Sequence, residues 1–315
     1  MPLDNTPSSL PLIASQSLWK WALGLILLAA LVWFVESQIG WRETLAAWQS
    51  ISITSLLSAT GLFVCSHLLR ALRIFDFVFA SRGATYLQVA KISALHQFAN
   101  NLMPMRLGEF VLPLLTKRHF GHSLAQGLSH LLWLRLLDMA LMGSVVYLLL
   151  ATKFGLLPFL AIGICAALAG AAILWFLNSH IERYPLLAKI RDQIIKEAPQ
   201  TMPVFIRLFL WTALAWFTKL CALAIIVQSL AQVGLVTALA GALGAELSSL
   251  LPIHGFAGTG SFEAAFSAGF ALFGELSTAV VAVAVNLHIF VLSSTSLVTL
   301  VLLPVTLPTK KSTEL

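Results

Sequence analysis

The chain has 315 residues, 59% of them hydrophobic and only 10% charged, with a mean hydropathy of +0.91. Soluble domains carry about 25% charged residues, so this composition excludes a soluble enzyme or binding module and indicates a polytopic membrane protein. The formal charge of +6 does not indicate nucleic acid, because the basic residues sit at the ends of apolar spans rather than along a stripe.

Residues 1–16, rich in Pro and Ser, read as a disordered cytoplasmic tail. A first apolar span at 18–35 carries Lys20 and has no small-residue cleavage site after it, so it is expected to remain as an uncleaved span. A second span at 51–69 leads into Arg70, Arg73, Arg82 and Lys91, which the positive-inside rule assigns to a cytoplasmic loop. The loops near 36–50 and 229–235 carry little positive charge and fall on the opposite side.

The apolar region 87–119 is broken at Pro104–Gly108, inside the stretch NNLMPMRLGEF. A continuous helix is not expected through it, so two half-helices are predicted. Irregular backbone at membrane depth survives only where protein buries it or water lines it, and ionisable groups there mark a pathway or a binding site. Asn101, Arg106 and Glu109 are therefore candidate site residues. Two readings stand: Arg106 and Glu109 neutralise each other as a structural pair, or Arg106 offers its planar fork to a phosphate. His119 and His122 have i,i+3 spacing but no third ligand, so no metal is expected.

The span 124–150 places Arg135 and Asp138 one turn apart near mid-bilayer, as a structural pair or as part of a site. A further span follows at 156–177. The stretch 181–200 alternates basic and acidic residues around Ile and Leu, the pattern of an amphipathic helix on the cytoplasmic face. After a span at 204–228, the region 236–275 is broken at Pro252–Gly260, in PIHGFAGTGSFEAAF. Gly255, Gly258 and Gly260 precede a helix expected to start near Ser261, either exposing backbone N–H groups to an anion or serving close packing. Glu263 suits the first turn of that helix, His254 at the tip could titrate or bind phosphate, and Glu246 on the first arm could exchange a proton. A last span, 277–303, precedes a cytoplasmic tail at 304–315 with Lys310 and Lys311. Cys65, Cys165 and Cys221 lie in apolar spans and read as small core residues without a disulfide or metal.

The expected fold is thus all-α, with about six full spans plus two broken re-entrant hairpins in a single transmembrane domain, 17–303. Its halves, 17–152 and 153–303, run in opposite orientation, an inverted-topology repeat that points to a transport site at the paired breaks. ALHQFANNLMP (94–104) aligns without gaps on ALGAELSSLLP (242–252), and Arg106 then faces His254.

The pattern N-x-x-P-x-R-x-G-E, met by Asn101, Pro104, Arg106, Gly108 and Glu109, resembles the signature of the lysylphosphatidylglycerol synthase transmembrane-region family. R-x-x-D (Arg135, Asp138) and P…G…G-x-G-x-x-E (Pro252, Gly258, Gly260, Glu263) are similar to its other marks. Leu134 stands where the family often has an acidic residue, and Gly255 where a second proline is common. The resemblance implies a flippase-like integral membrane protein of the cytoplasmic (inner) membrane that translocates lipid, here without a soluble synthase domain.

The function expected is translocation of a phospholipid or lipid-linked anionic or amine-bearing head group, with a membrane lipid as substrate and a separate lipid-modifying enzyme as a partner. No catalytic residue, cofactor or ATP motif is expected; oligomeric state is left open. Alternatives are a membrane-embedded transferase on a lipid-linked substrate, which would need an acid–base pair, and a small-anion secondary transporter.

Overall fold

The computed structural model describes residues 25–26, 28–38, 40–79, 83–156, 160, 163, 183–249 and 256–308, without the side chains of 104–106. Every regular element among them is a helix. Three are long and apolar enough to cross a membrane: Leu124–Phe154 (α6), Met202–Ala231 (α8) and Thr278–Leu302 (α11). A bent pair passes the same test together, the short Trp41–Ala46 (α2) with its 3-10 continuation to Ser50, set at 94° to Ile53–Ile74 (α3) with its π turn to Phe79. Only Leu28–Gln38 (α1) of the region around the first predicted span is a described helix. The expected disordered tail, most of the span 156–177, His254, and Lys310 and Lys311 lie outside the described residues.

Both broken regions fold as pairs of short helices. Tyr86–Leu102 (α4) stops at Met103, whose extended backbone (φ −77°, ψ 130°) is what a following proline imposes. A 3-10 turn over Pro104–Phe110 then leads into Val111–Phe120 (α5), which ends on left-handed Gly121. The second region gives Leu235–Ser248 (α9) and Ser261–Ala271 (α10). With 14 and 11 residues these arms are about 21 and 17 Å long, short of a ~30 Å hydrocarbon core. Close backbone contact holds each hairpin shut. A Cβ on Gly108 would strike the Ala99–Asn100 backbone, and Gly244 and Gly269 lie against Ala265 and Ala240 across the α9–α10 seam.

Capping fixes where the helices begin. Ser52 accepts from the Ser55 N–H (3.0 Å) at α3, while Thr85 with Gln88 and Ser123 with Gln126 form capping boxes at α4 and α6. The order long helix, two short helices, long helix occurs twice, as α3–α4–α5–α6 and α8–α9–α10–α11. The bases of the two hairpins lie at opposite ends of α6. The first meets its N-terminus through Gly121–Ser123; the second meets its C-terminus, where Lys153 donates to the Leu272 carbonyl.

One apolar core joins α3, α8, α9, α10 and α11 around Phe63, Leu223, Phe266 and Leu287. Another joins the end of α3 with α4, α5 and α6 around Phe79, Ile92 and Leu134. Leu124, Leu128, Leu132 and Leu136 form an exposed stripe down α6, the face that acyl chains would cover. The amphipathic stretch forms Pro185–Lys196 (α7), with Leu186, Leu187, Ile190 and Ile195 exposed, and Trp133 anchors it by donating to the Ile194 carbonyl (2.9 Å).

One expectation fails here. Arg70 and Arg73 are not loop cations: α3 runs on past both, and they are 8% and 4% exposed. The apolar run thins at Arg70, but Ala71, Leu72 and Ile74 keep the helix going and turn both arginines inward.

Candidate functional site

The charges buried by α3, α4, α6, α8 and α9 meet in one cavity of about 110 Å³. His67 and Arg70 from α3, Asn100 and Asn101 from α4, and Glu109 from the hairpin turn line one part. Arg135 and Asp138 from α6, Trp216 and Lys219 from α8, Glu246 from α9 and Thr295 from α11 line the rest. Asp138 lies halfway along α6 and Trp216 halfway along α8, so the cavity falls near the middle of the two longest helices.

Asp138 is the hub. Arg73 grips it with both nitrogens (2.6 and 3.3 Å), Trp216 Nε1 donates to it at 2.9 Å, and Arg73 also donates to Thr212 (3.0 Å). Arg135 turns mainly to Glu109, at 2.5 and 3.3 Å, and stays 3.6 Å from Asp138. Lys219 pairs with Glu246 at 2.7 Å. Arg73, Asp138, Lys219 and Glu246 are all at least four-fifths buried, where breaking a pair would strand a charge.

Four cations (Arg70, Arg73, Arg135, Lys219) thus meet three carboxylates (Glu109, Asp138, Glu246), and the three pairings use all but Arg70. Arg70 makes no hydrogen bond or ion pair to any described residue, and its Nε and Nη2 are buried without partners. Its guanidinium lies 4.3 Å over the Trp216 ring, which holds the fork in place without neutralising it. Two acceptors beside it are also unfilled. His67 Nδ1 must donate to the Phe63 carbonyl (3.1 Å), which leaves Nε2 as a buried, unpartnered lone pair. Asn100 gives its amide to His96 Nε2 (3.2 Å), leaving Oδ1 unpaired. The arrangement can bind an anion at Arg70 and hydrogen-bond donors beside it.

The residues singled out in the sequence fare unequally. Asn101, Glu109, Arg135, Asp138 and Glu246 converge on the cavity, with Asn101 donating to Thr295 (3.0 Å). The side chain of Arg106 lies outside the described residues, so its pairing and its phosphate role rest on sequence alone. Glu109 has Arg135 as a partner from another helix, and Arg135 and Asp138 are not chiefly paired with each other. Glu246 is paired with Lys219.

The glycine turn engages one of its own donors. Gly258 and Gly260 adopt positive φ (78° and 83°), but the Gly260 N–H donates to Glu263 Oε2 (2.8 Å), so this donor does not face an anion. Glu263 Oε1 meets His288 Nδ1 at 2.7 Å, beside a second cavity of about 70 Å³ that His288 lines with Lys219 and Glu246.

Arg70, Arg73, Lys219 and His288 were missed as site residues. Lys219 lies midway along an apolar span, a costly cation that position could have flagged. His288 carried the same signal within the last span.

No curated protein and no solved structure matches the chain. The family model described as "Lysylphosphatidylglycerol synthase TM region" matches residues 21–298. That match covers most of a helical membrane protein whose buried charges meet in one cavity, and the chain belongs to the lysylphosphatidylglycerol synthase transmembrane-region family.

Proposed function

We propose that the protein translocates a phospholipid or lipid-linked molecule with an anionic head group across the cytoplasmic membrane, its phosphate received by Arg70. The observation that carries this reading is Arg70, without a hydrogen-bond or ion-pair partner among the described residues and held over Trp216 in a cavity whose other described cations, Arg135 and Lys219, are already paired. A buried, unpartnered arginine is costly, and a bidentate phosphate is the ligand its geometry suits best. The family's name, which ties it to a lipid synthase, supports a lipid in place of a free solute. His67 Nε2 and Asn100 Oδ1 then accept from a hydroxyl or amine on the same head group.

The architecture behind this is about six spans and two re-entrant hairpins in an inverted repeat. The twice-repeated order of elements, the short hairpin arms and their bases at opposite ends of α6 support it. Lys91, Lys117 and Arg118 near the first hairpin's base, with Lys189 and Lys196 of α7, support a cytoplasmic assignment for that end and for both termini. The three carboxylates lining the Arg70 cavity are each engaged by a cation, which favours anion transport over acid–base transfer chemistry at that cavity. A separate enzyme would then make or use the lipid.

Head-group-labelled phospholipids with neutral, anionic and amine-bearing heads, reconstituted with the full chain in vesicles, test the reading. Wild type should move an anionic-phosphate class, and Arg70→Gln should slow it by roughly 10- to 100-fold, the loss of one charge-assisted contact. Wild-type protein that leaves every lipid in place while moving inorganic phosphate would favour the small-anion alternative.

A further inference from the structure

The second hairpin holds a buried acid–base pair that the anion site does not use. Glu263, in the first turn of α10, is 4% exposed, and His288, in the middle of α11, is 6% exposed. Glu263 Oε2 accepts the Gly260 N–H (2.8 Å) and Oε1 faces His288 Nδ1 (2.7 Å), so both oxygens are occupied as acceptors. Phe262 stacks on the imidazole, with ring centroids 4.2 Å apart, and fixes its plane. With Nδ1 turned to Glu263, Nε2 is the nitrogen left to gain or lose a proton. It faces Gly258, where an added Cβ would sit 3.7 Å away; the missing side chain keeps that edge of the ring clear.

The pair is placed to communicate with the anion site. Its cavity and the Arg70 cavity share Asn100, Asn101, Lys219, Glu246 and Ser249 in their walls. The charged groups facing it are Glu246 from α9 and Lys219 from α8; α4 contributes the uncharged Asn100 and Asn101. Lys219 lies 5.4 Å from the same Trp216 ring that carries Arg70, so anion charge at Arg70 is felt at Lys219–Glu246 and beyond.

Other histidines suit the role less well. His67 stands beside Arg70 and Lys219, where a proton would add a third positive charge. His96 uses both nitrogens, one on the Gly108 carbonyl (3.2 Å) and one on Asn100 (3.2 Å).

We infer that the Glu263–His288 pair is a coupling-proton site, and that head-group translocation is driven by a proton gradient through it. The inference rests on the transport reading above. In each cycle His288 takes one proton at Nε2 from one side, becoming an imidazolium against Glu263, and returns to neutral imidazole by releasing it to the other. Only that N–H bond forms and breaks, so no other reactant is needed.

Two measurements test this. In proteoliposomes, a pH gradient of one sign should speed labelled-lipid movement and the opposite sign should slow it, with His288→Gln and Glu263→Gln both losing that dependence. Gradient-independent lipid movement by wild type overturns the inference while leaving the transport reading intact. Separately, calorimetry of short-chain phosphatidylglycerol binding to the whole protein in detergent, in two buffers of different ionisation enthalpy, counts protons taken up. Wild type should take up on the order of one proton per lipid, and His288→Gln should lose it. Equal proton counts in the two, with lipid bound by both, overturn the inference whatever the vesicles show. A wild type that binds no lipid in the calorimeter and moves none in vesicles fails the transport reading itself.

Discussion

Asp138 shows what a single buried carboxylate does in this protein. It takes two contacts from Arg73 and one from Trp216 and sits within 3.6 Å of Arg135, so it orders three helices around one side chain. Removing it leaves Arg73 with Thr212 alone. Asp138→Ala should therefore destabilise the protein by roughly 3–5 kcal/mol, read as reduced thermal stability in detergent. The double variant Arg73→Met, Asp138→Leu should regain most of that loss, because no charge is then stranded. If the double variant is no more stable than Asp138→Ala alone, the pair's worth lies in its geometry and not in neutralisation. The sequence made Asp138 legible as a site residue, since a carboxylate inside an apolar span is conspicuous. Its partner was not legible. Arg135 one turn away was the near candidate, whereas Arg73, 65 positions distant, reaches it only because α3 packs beside α6 and α8. Arg70 and Arg73 were misplaced for a related reason: a basic cluster at the end of an apolar run satisfies the loop rule as well as it satisfies a buried site.

Among the elements, the hairpins bring Asn100, Asn101, Glu109 and Glu246 to the cavity between the long helices, and the closeness of their arms is set by glycine. Gly244 and Gly269 face each other across α9 and α10, and a Cβ on either would strike backbone carbonyls that have no rotamer to shift. Gly244→Val should splay the arms, move Glu246 away from Lys219 and abolish head-group movement. By contrast, Gly143→Val on α6, where an added Cβ meets nothing within 4 Å, should be tolerated. Equal behaviour of the two in a folding and transport assay would mean the seam is not structural. The break points were readable from sequence because proline and clustered glycine interrupt a helix by geometry alone, and α10 does begin at Ser261 as expected. The chemistry of the second break was less readable. Glycines before a helix suggested free N–H groups, but the Glu263 carboxylate accepts the Gly260 N–H and claims one of them, and His288, some 25 positions on, claims the other face of the carboxylate. Local motifs show that a donor exists; only the packed neighbours show who takes it.

At the scale of the whole molecule, α6 relates the two hairpins. Its N-terminal end meets Gly121–Ser123 at the base of the first hairpin, and its C-terminal end reaches Leu272 at the base of the second. The segment after α11 returns to the first of these ends. Lys91 donates to the Leu303 and Val305 carbonyls (2.5 and 2.7 Å) and His119 to the Pro308 carbonyl (2.9 Å). If α6 crosses the bilayer, the hairpins must enter it from opposite faces, and the Arg70 cavity lies where their tips approach each other. Single cysteines test this directly in a background where Cys65, Cys165 and Cys221 are alanine. Arg118 and Glu275 are both exposed, one at each hairpin's base. In intact cells a membrane-impermeant maleimide should label Glu275→Cys but not Arg118→Cys, and opening the cells should make Arg118→Cys reactive. Labelling of both from the same face would overturn the opposed-hairpin architecture, because the length of α6 would then have to be accommodated without crossing.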